Sequence, residues 1–185
     1  MKRLFVIVLF LLLSAGLCAA ASKKPPASVD ACSLLSSASV EKMLGEKIQS
    51  PKMEGSEQPQ PEAMNAALSN CTWATVAQKN GMPKRSLYLW IRQAPAAVND
   101  SSQVMEGLRL DPKTHVGRPV EALTDFGESA FWMSGKANGT TRLEMDAMKK
   151  DLVVQVVLTG FDDAIAAESQ AKGAIESVWK KLGVS

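Results

Sequence analysis

The chain has 185 residues, of which 46% are hydrophobic and 22% are charged. This length suits one domain, and 21 basic against 19 acidic residues leave a net charge of only +2. Because the charge is balanced and no block of like charges occurs, we expect no nucleic-acid partner and no binding to an anionic membrane surface.

The first 21 residues have the order of a secretory signal peptide. Lys2 and Arg3 form a positive start, residues 4–13 are an apolar run too short to span a bilayer comfortably, and small residues follow up to Ala21. We therefore expect cleavage near Ala21 and a periplasmic or secreted protein. An uncleaved membrane anchor is the alternative, but the apolar run stops early.

A lipid anchor at Cys18 is a further alternative. Cys18 follows Ala15, Gly16 and Leu17, an order that resembles a bacterial lipoprotein box. Such a box normally has a small residue where Leu17 stands, so plain cleavage is favoured. Membrane attachment in the cell envelope is expected only if Cys18 is lipidated.

Residues 22–30 are polar and contain two prolines, which predicts a disordered tether ahead of a single domain at residues 31–185. The chain beyond the signal keeps two cysteines, Cys32 and Cys71. In an oxidising compartment these should pair. A metal or redox pair is the alternative, but the spacing is not Cys-x-x-Cys, so we predict a structural disulfide.

The domain is predicted to open with a helix at residues 33–44, which ends at Gly45 because glycine tolerates positive φ. Residues 51–61 are rich in Pro, Gly, Glu and Gln and predict a surface loop. A helical turn at residues 62–68 is expected to follow it.

A hairpin of two strands is predicted next, at residues 70–77 and 85–93. A disulfide would then tie the first helix to the strand of Cys71. Strand periodicity places alternate side chains on opposite faces. In the second strand these are Leu87, Leu89 and Ile91 on one face, and Tyr88, Trp90 and Arg92 on the other.

Asp100 is predicted to cap a further helix, with Gln103 at the capping-box position. Residues 119–123 predict a short edge strand that tolerates its proline. At the other end of the chain, residues 162–182 predict a long helix with Asp162 as its cap and Ile165 on its apolar face.

Residues 129–160 predict three antiparallel strands, with turns at residues 138–139 and 149–151. Within the middle strand, Arg142, Glu144 and Asp146 alternate with apolar residues, which predicts one wet and one dry face. The third strand is nearly all aliphatic and should be covered on both faces. These elements together predict an α+β fold, an antiparallel sheet with helices packed on it.

Three short motifs are spread over the mature chain: Cys-Ser-Leu-Leu at residues 32–35, Cys-Thr-Trp at residues 71–73 and Gly-Glu-Ser-Ala-Phe-Trp at residues 127–132. This pattern resembles a family of exported, often lipid-anchored bacterial cell-envelope domains of unknown function. Glu128 stands where that family more often has Asp. The resemblance implies a PsbP-like α/β sandwich and carries no catalytic residues.

Few residues are available for catalysis or for a cofactor. His115 is the only histidine, and any Ser-His-Asp or Cys-His site would need it. No nucleophile elbow, phosphate-cradling loop or dinucleotide fingerprint occurs, so we predict no cofactor. Met145 and Met148 have a spacing that suggests copper, but methionines more often fill cores, and we predict no metal.

The tryptophans are the remaining indication of a binding site. Trp73 and Trp179 are expected to fill the core. A groove is predicted where Tyr88, Trp90 and Arg92 meet Trp132, because amphipathic aromatic side chains make good binding platforms.

The function predicted from these features is a non-catalytic cell-envelope domain that binds a protein partner or a small ligand. The first alternative is a periplasmic inhibitor or immunity-type protein, which would present an exposed anchor residue to one enzyme. The second alternative is an enzyme with an unrecognised site, for which His115 is the one candidate catalytic residue that is simple to test.

Overall fold

The computed structural model of the protein describes residues 29–52, 66–77, 81, 83–95, 100–110, 119–137 and 139–184. The predicted signal peptide with Cys18, most of the predicted tether, most of the loop at residues 51–61 and His115 lie outside these described residues. All statements below concern the described part of the chain.

The described residues form four helices and one six-stranded sheet. The helices are α1 (Ala31–Leu34), α2 (Ser37–Leu44), α3 (Ser101–Leu110) and α4 (Ala164–Lys181). The strands are β1 (Ala67–Ala74), β2 (Ser86–Gln93), β3 (Val120–Ala122), β4 (Ser129–Ala137), β5 (Thr140–Lys149) and β6 (Leu152–Phe161).

The sheet is antiparallel throughout, in the order β1-β2-β6-β5-β4-β3. The predicted meander is confirmed as β4, β5 and β6. Gly139 and Lys150 take positive φ at its two turns, 81° and 57°. Because β6 lies between β2 and β5, its aliphatic run is buried on both faces, as predicted.

One face of the sheet carries the main core, under α1, α2 and α4. Trp73 is fully buried there and Trp179 is 6% exposed, which confirms that both fill the core. The disulfide between Cys32 and Cys71 is confirmed and ties α1 to β1. The predicted α+β class, with helices packed on an antiparallel sheet, is therefore correct.

The opposite face of the sheet is partly covered by α3. Met105 of this helix is 3% exposed and packs with Phe131, Met133, Met148 and Val153 in a second, smaller core. Met145 belongs to the main core instead. The two methionines of the Met-x-x-Met spacing therefore lie on opposite faces of β5, because side chains three apart in a strand point to opposite sides.

Several predicted boundaries are wrong near helix ends. The helix at residues 33–44 is two helices, because Leu35 is extended and Ser36 caps α2. Asp30, the last residue of the predicted tether, caps α1 by accepting from the Cys32 amide at 2.9 Å. Asp163, not Asp162, caps α4, and its carboxylate accepts from two backbone amides.

Other errors concern strand content and burial. The helical turn predicted at residues 62–68 is wrong at its end, because Ala67 and Leu68 belong to β1. Ile165 was expected on the apolar face of α4 but is 76% exposed. The predicted wet face of β5 is also wrong, because Glu144 and Asp146 are buried, 2% and 0% exposed.

Gly160 is a position where only glycine fits. It has φ +89° and lies opposite the register shift between Thr141 and Arg142, as expected for a β-bulge. A Cβ here would overlap the backbone carbonyl oxygen of Lys84. We expect Gly160→Ala to lower the free energy of unfolding by about 3 kcal/mol or more, from positive-φ strain plus overlap with rigid backbone.

Urea unfolding of the purified variant would measure this loss. Gly139→Ala is the matched control, since Gly139 has φ +81° but nothing lies within 4 Å of an added Cβ. Gly139→Ala should lose only the free energy that corresponds to the positive-φ strain, roughly 1 kcal/mol. Equal losses in both variants would mean that the overlap with Lys84 is relieved without cost.

Candidate ligand groove

A groove of about 660 Å³ lies between α3 and the β1–β2 side of the sheet. We call it the Trp90 groove. It is lined by one tryptophan, one arginine, one glycine and four aliphatic side chains: Leu68, Trp90, Arg92, Val104, Gly107, Leu108 and Leu110.

The alternation of side chains along β2 explains which residues form the sheet side of this groove. In β2, Leu87, Leu89 and Ile91 are buried in the main core, so Trp90 and Arg92 face the side of α3. Leu68 joins Arg92 there because the two residues are directly paired across β1 and β2.

The helix side of the groove depends on how α3 sits on the sheet. This helix anchors Met105 over β4, β5 and β6, and presents Val104, Gly107 and Leu108 towards β2. At Gly107, an added Cβ would meet nothing within 4 Å. The space next to this lining residue is therefore open.

Arg92, the charged side chain among the described lining residues, is held in a buried ion pair. Arg92 Nη2 donates to Asp100 Oδ2 at 2.5 Å, and each side chain is only 8% exposed. Among the described residues, Arg92 Nη1 and Asp100 Oδ1 have no hydrogen-bond partner. Asp100 precedes α3, but its carboxylate holds Arg92 instead of making the predicted capping box.

A cluster of buried polar side chains lies beside the groove on the same face. Gln155 Nε2 donates to Glu144 Oε1 at 3.0 Å and to Asp146 Oδ1 at 2.9 Å. Gln155 is also the register partner of Trp90. The pKa of Asp146 is raised to about 8, first by burial and then by the nearby Glu144 carboxylate, while the hydrogen bond from Gln155 opposes both.

The structure brings together only some of the predicted site residues. Trp90 and Arg92 line the groove, and Tyr88 lies half-buried on the same strand face. Trp132 does not join them, because it packs against the main core on the opposite face of the sheet. The predicted meeting of Trp90 and Trp132 in one groove is therefore wrong.

Sequence reasoning missed the helix side of the groove. Val104 and Leu108 belong to the helix predicted after Asp100, but the sequence pattern assigns neither of them nor Gly107 to a binding site. A glycine in the interior of a predicted helix was the available signal, because it costs helix stability and calls for a packing or functional reason.

A second depression, of about 430 Å³, lies at the end of α4. The Phe126 and Trp179 rings stand 4.9 Å apart there, and Lys149 Nζ lies 5.2 Å from a Trp179 ring centroid. Its aromatic surface is already in contact with this cation. The Trp90 groove is larger and more apolar, and is the better candidate site.

Within the described ranges, no three His, Cys, Asp or Glu residues are grouped so as to hold a metal ion. None of the described helices is both long and apolar enough to cross a membrane.

No family model matches the chain, and no curated protein matches it. Among solved structures, the chain is similar to the extracellular domain of PknH from Mycobacterium tuberculosis. The identity is 14%, the match covers 86% of this chain and 98% of that one, and the TM-score is 0.50. At this identity the likeness concerns the fold alone. The protein thus contains an α+β domain with an internal disulfide, and its fold is similar to that of an extracellular domain.

Proposed function

We propose that the protein is an exported, non-catalytic cell-envelope domain that binds a small, largely apolar ligand in the Trp90 groove. The observation that carries this proposal is the groove itself. Its volume of about 660 Å³ lies within the usual range of small-molecule sites, roughly 300–1,000 Å³. Its lining of aliphatic side chains, one tryptophan and one buried arginine is also typical of such sites.

Export is supported by three separate features. The signal-like N-terminus and the Cys32–Cys71 disulfide both fit an oxidising compartment outside the cytoplasm. The similar solved structure is described as an extracellular domain. The same proposal includes membership of the envelope-domain family with the Cys-Ser-Leu-Leu opening. It also holds that Cys18 carries no lipid.

The chemistry of the groove favours binding over catalysis. The described residues of its lining include no side chain that serves readily as a nucleophile or as a general base. Arg92, the one charged residue among the described lining residues, is already paired with Asp100. The groove therefore offers surface for an apolar ligand and a hydrogen-bonding group, and no reacting group.

The distribution of exposed apolar residues favours a small ligand over a protein partner. The large, exposed hydrophobic residues of the described chain are Val76, Leu110 and Ile165, which belong to separate segments. Only Leu110 lines the groove. These exposed apolar side chains are thus scattered, whereas stable protein interfaces bury broad patches of roughly 800 Å² on each partner.

Filling the groove should abolish ligand binding without harming the fold. We expect Gly107→Leu to weaken binding of the neutral fluorescent probe N-phenyl-1-naphthylamine by at least about tenfold, because the new side chain occupies open space in the groove. The same change replaces a helical glycine by a good helix former, so stability should rise slightly, by about 0.8 kcal/mol.

Gln103→Leu is the control, because it adds the same side chain to an exposed position of α3 outside the groove lining. It should bind the probe like the unaltered protein. Saturable binding that is equal in both variants, or no saturable binding by the unaltered protein, would contradict the groove and turn attention to a protein partner.

A further inference from the structure

The depression at the C-terminal end of α4 differs from the Trp90 groove because its lining combines aromatic rings with charges of both signs. We call it the Trp179 depression, and its lining includes Asp125, Phe126, Lys149, Glu176, Trp179 and Lys180. We infer that it binds a small zwitterion of the amino-acid type, whose ammonium and carboxylate groups are both recognised. This second site uses other residues than the Trp90 groove and does not depend on the proposed function.

One wall of this depression is the turn ahead of β4, where the Gly-Glu-Ser-Ala-Phe-Trp motif begins. Gly127 has φ +71°, and a Cβ added there would lie 2.5 Å from the Met148 carbonyl oxygen and 3.1 Å from a Trp179 ring carbon. This close approach, which glycine allows, goes with a distance of 4.9 Å between the Phe126 and Trp179 ring centroids. The Glu128 amide donates to the same Met148 carbonyl at 2.8 Å. The wall is therefore held against β5 and α4.

The charged part of the lining consists of two acidic side chains, Asp125 and Glu176, and two basic ones, Lys149 and Lys180. Asp125, Glu176 and Lys180 are exposed, so a ligand in the depression can reach charged groups of both signs. Among the described residues, none of the four makes an ion pair. Lys149 Nζ instead lies 5.2 Å from a Trp179 ring centroid.

The two charged residues on α4 are open to a ligand although their spacing favours a mutual ion pair. Glu176 and Lys180 stand four residues apart with the glutamate first, which is the better order for an ion pair on a helix. Glu168 and Lys172 have the same spacing on the same helix and do pair, at 2.6 Å. No such pair joins Glu176 and Lys180 in the described structure. Their charges are thus available at the depression.

A ligand with both charges fits this lining better than a ligand with one. A lone carboxylate would meet the two lysines but also the two acidic side chains, and a lone ammonium group would meet the same mixture. A zwitterion can direct its ammonium group to Asp125 and Glu176 and its carboxylate to Lys180, so both contacts are attractive. Each exposed ion pair is individually weak, and recognition therefore depends on both charges together.

The uncharged part of the lining favours an apolar side chain on the ligand. Phe126 and Val184 are half-buried there, and Trp179 is 6% exposed beside them. The volume of about 430 Å³ lies within the usual range of small-molecule sites, roughly 300–1,000 Å³. An aromatic side chain packs well against another aromatic ring. The ligand is thus an amino acid with an aromatic or aliphatic side chain.

Phenylalanine and two analogues test this inference, because phenethylamine lacks the carboxylate and hydrocinnamate lacks the ammonium group. Each is titrated into isotope-labelled protein near neutral pH and at low salt, where exposed charges are least screened, and backbone amide shifts are followed by NMR. We expect phenylalanine to shift the Gly127 and Gly183 amides saturably, with a dissociation constant at least about threefold below that of either analogue. The Gly107 amide, which reports on the Trp90 groove, should stay in place.

Two variants remove one charge each from exposed positions of α4. Glu176→Gln should weaken phenylalanine binding by at least about threefold and strengthen hydrocinnamate binding, because a repulsive charge is lost. Lys180→Gln should also weaken phenylalanine binding, but it should strengthen phenethylamine binding instead. Mere disturbance of the surface would not favour opposite analogues in the two variants. Lys172→Gln is the matched control, since Lys172 pairs with Glu168 and does not line the depression.

The inference is overturned if either analogue binds as tightly as phenylalanine, or if phenylalanine causes no saturable shift of the Gly127 and Gly183 amides. Shifts centred on Gly107 would likewise overturn it, since the ligand would then occupy the Trp90 groove. So would Glu176→Gln and Lys180→Gln variants that behave like Lys172→Gln. None of these results bears on the proposed function, which binding of N-phenyl-1-naphthylamine tests separately.

Discussion

Asp146→Asn is expected to stabilise the protein at pH 7 by roughly 3–4 kcal/mol, one of the two largest effects that the structure predicts. Asp146 is fully buried, and its pKa is raised to about 8 by burial, then by the nearby Glu144 carboxylate. The folded protein therefore holds a proton at neutral pH that the unfolded chain releases. Asparagine has the same shape and needs no such proton.

The pH dependence follows from the same raised pKa. Between about pH 4 and about pH 8 the native state binds more protons at Asp146 than the unfolded state does. Stability of the unaltered protein should fall as the pH rises through this window, by up to about 1.4 kcal/mol per pH unit from this residue. Below about pH 4, Asp146 does not destabilise the folded protein. Above about pH 8, its destabilising contribution no longer changes with pH.

The groups around Asp146 have defined roles in this expectation. Gln155 Nε2 donates to Asp146 Oδ1, and the same nitrogen donates to Glu144. Arg142 Nη2 lies 3.4 Å from Glu144 Oε2, but its side chain is 40% exposed, so it compensates Glu144 through partly solvated space. Asp146 Oδ2 has no partner among the described residues.

Urea unfolding at a series of pH values measures the effect. Asp162→Asn is the control, since the Asp162 side chain is 97% exposed and its loss should change stability little at any pH. Stability curves that run parallel for Asp146→Asn and the unaltered protein across this window would show that Asp146 is ionised in the folded state.

Loss of the disulfide is expected to cost about 4 kcal/mol, because the Cys32–Cys71 bond closes a loop with a sequence separation of 39. The double variant Cys32→Ala/Cys71→Ala should show this loss in urea unfolding at a fixed pH. The unaltered protein under a reducing agent should unfold at the same urea concentration as the double variant.

A weaker, non-covalent link between the same elements provides the comparison. The Ala31 amide donates to Ser69 Oγ at 3.0 Å and also joins α1 to β1. Ser69→Ala should cost only about 1 kcal/mol, the usual net worth of one hydrogen bond. If the double cysteine variant loses no more than Ser69→Ala does, the bond contributes little beyond local attachment of α1.

The site was only half predictable from the sequence. Period-two alternation in β2 correctly placed Trp90 and Arg92 on one face, since that pattern is local. Whether a helix covers that face, and where it leaves a gap, depends on the docking of α3 through Met105. Trp132 was misplaced for the same reason, because the strand pattern alone does not tell which face of β4 meets the main core.

By itself, the sequence determined the α+β class, the meander with its turns, the hairpin of β1 and β2, the disulfide and the tryptophans of the core. These features follow from short-range rules: hydrophobic periodicity, positive-φ turn residues and the count of cysteines. Only the tertiary structure decided that Glu144 and Asp146 are buried and that Asp100 pairs with Arg92. Those outcomes depend on side chains distant in the sequence meeting under α3 and across the sheet, where lost hydration changes the energies of charged groups.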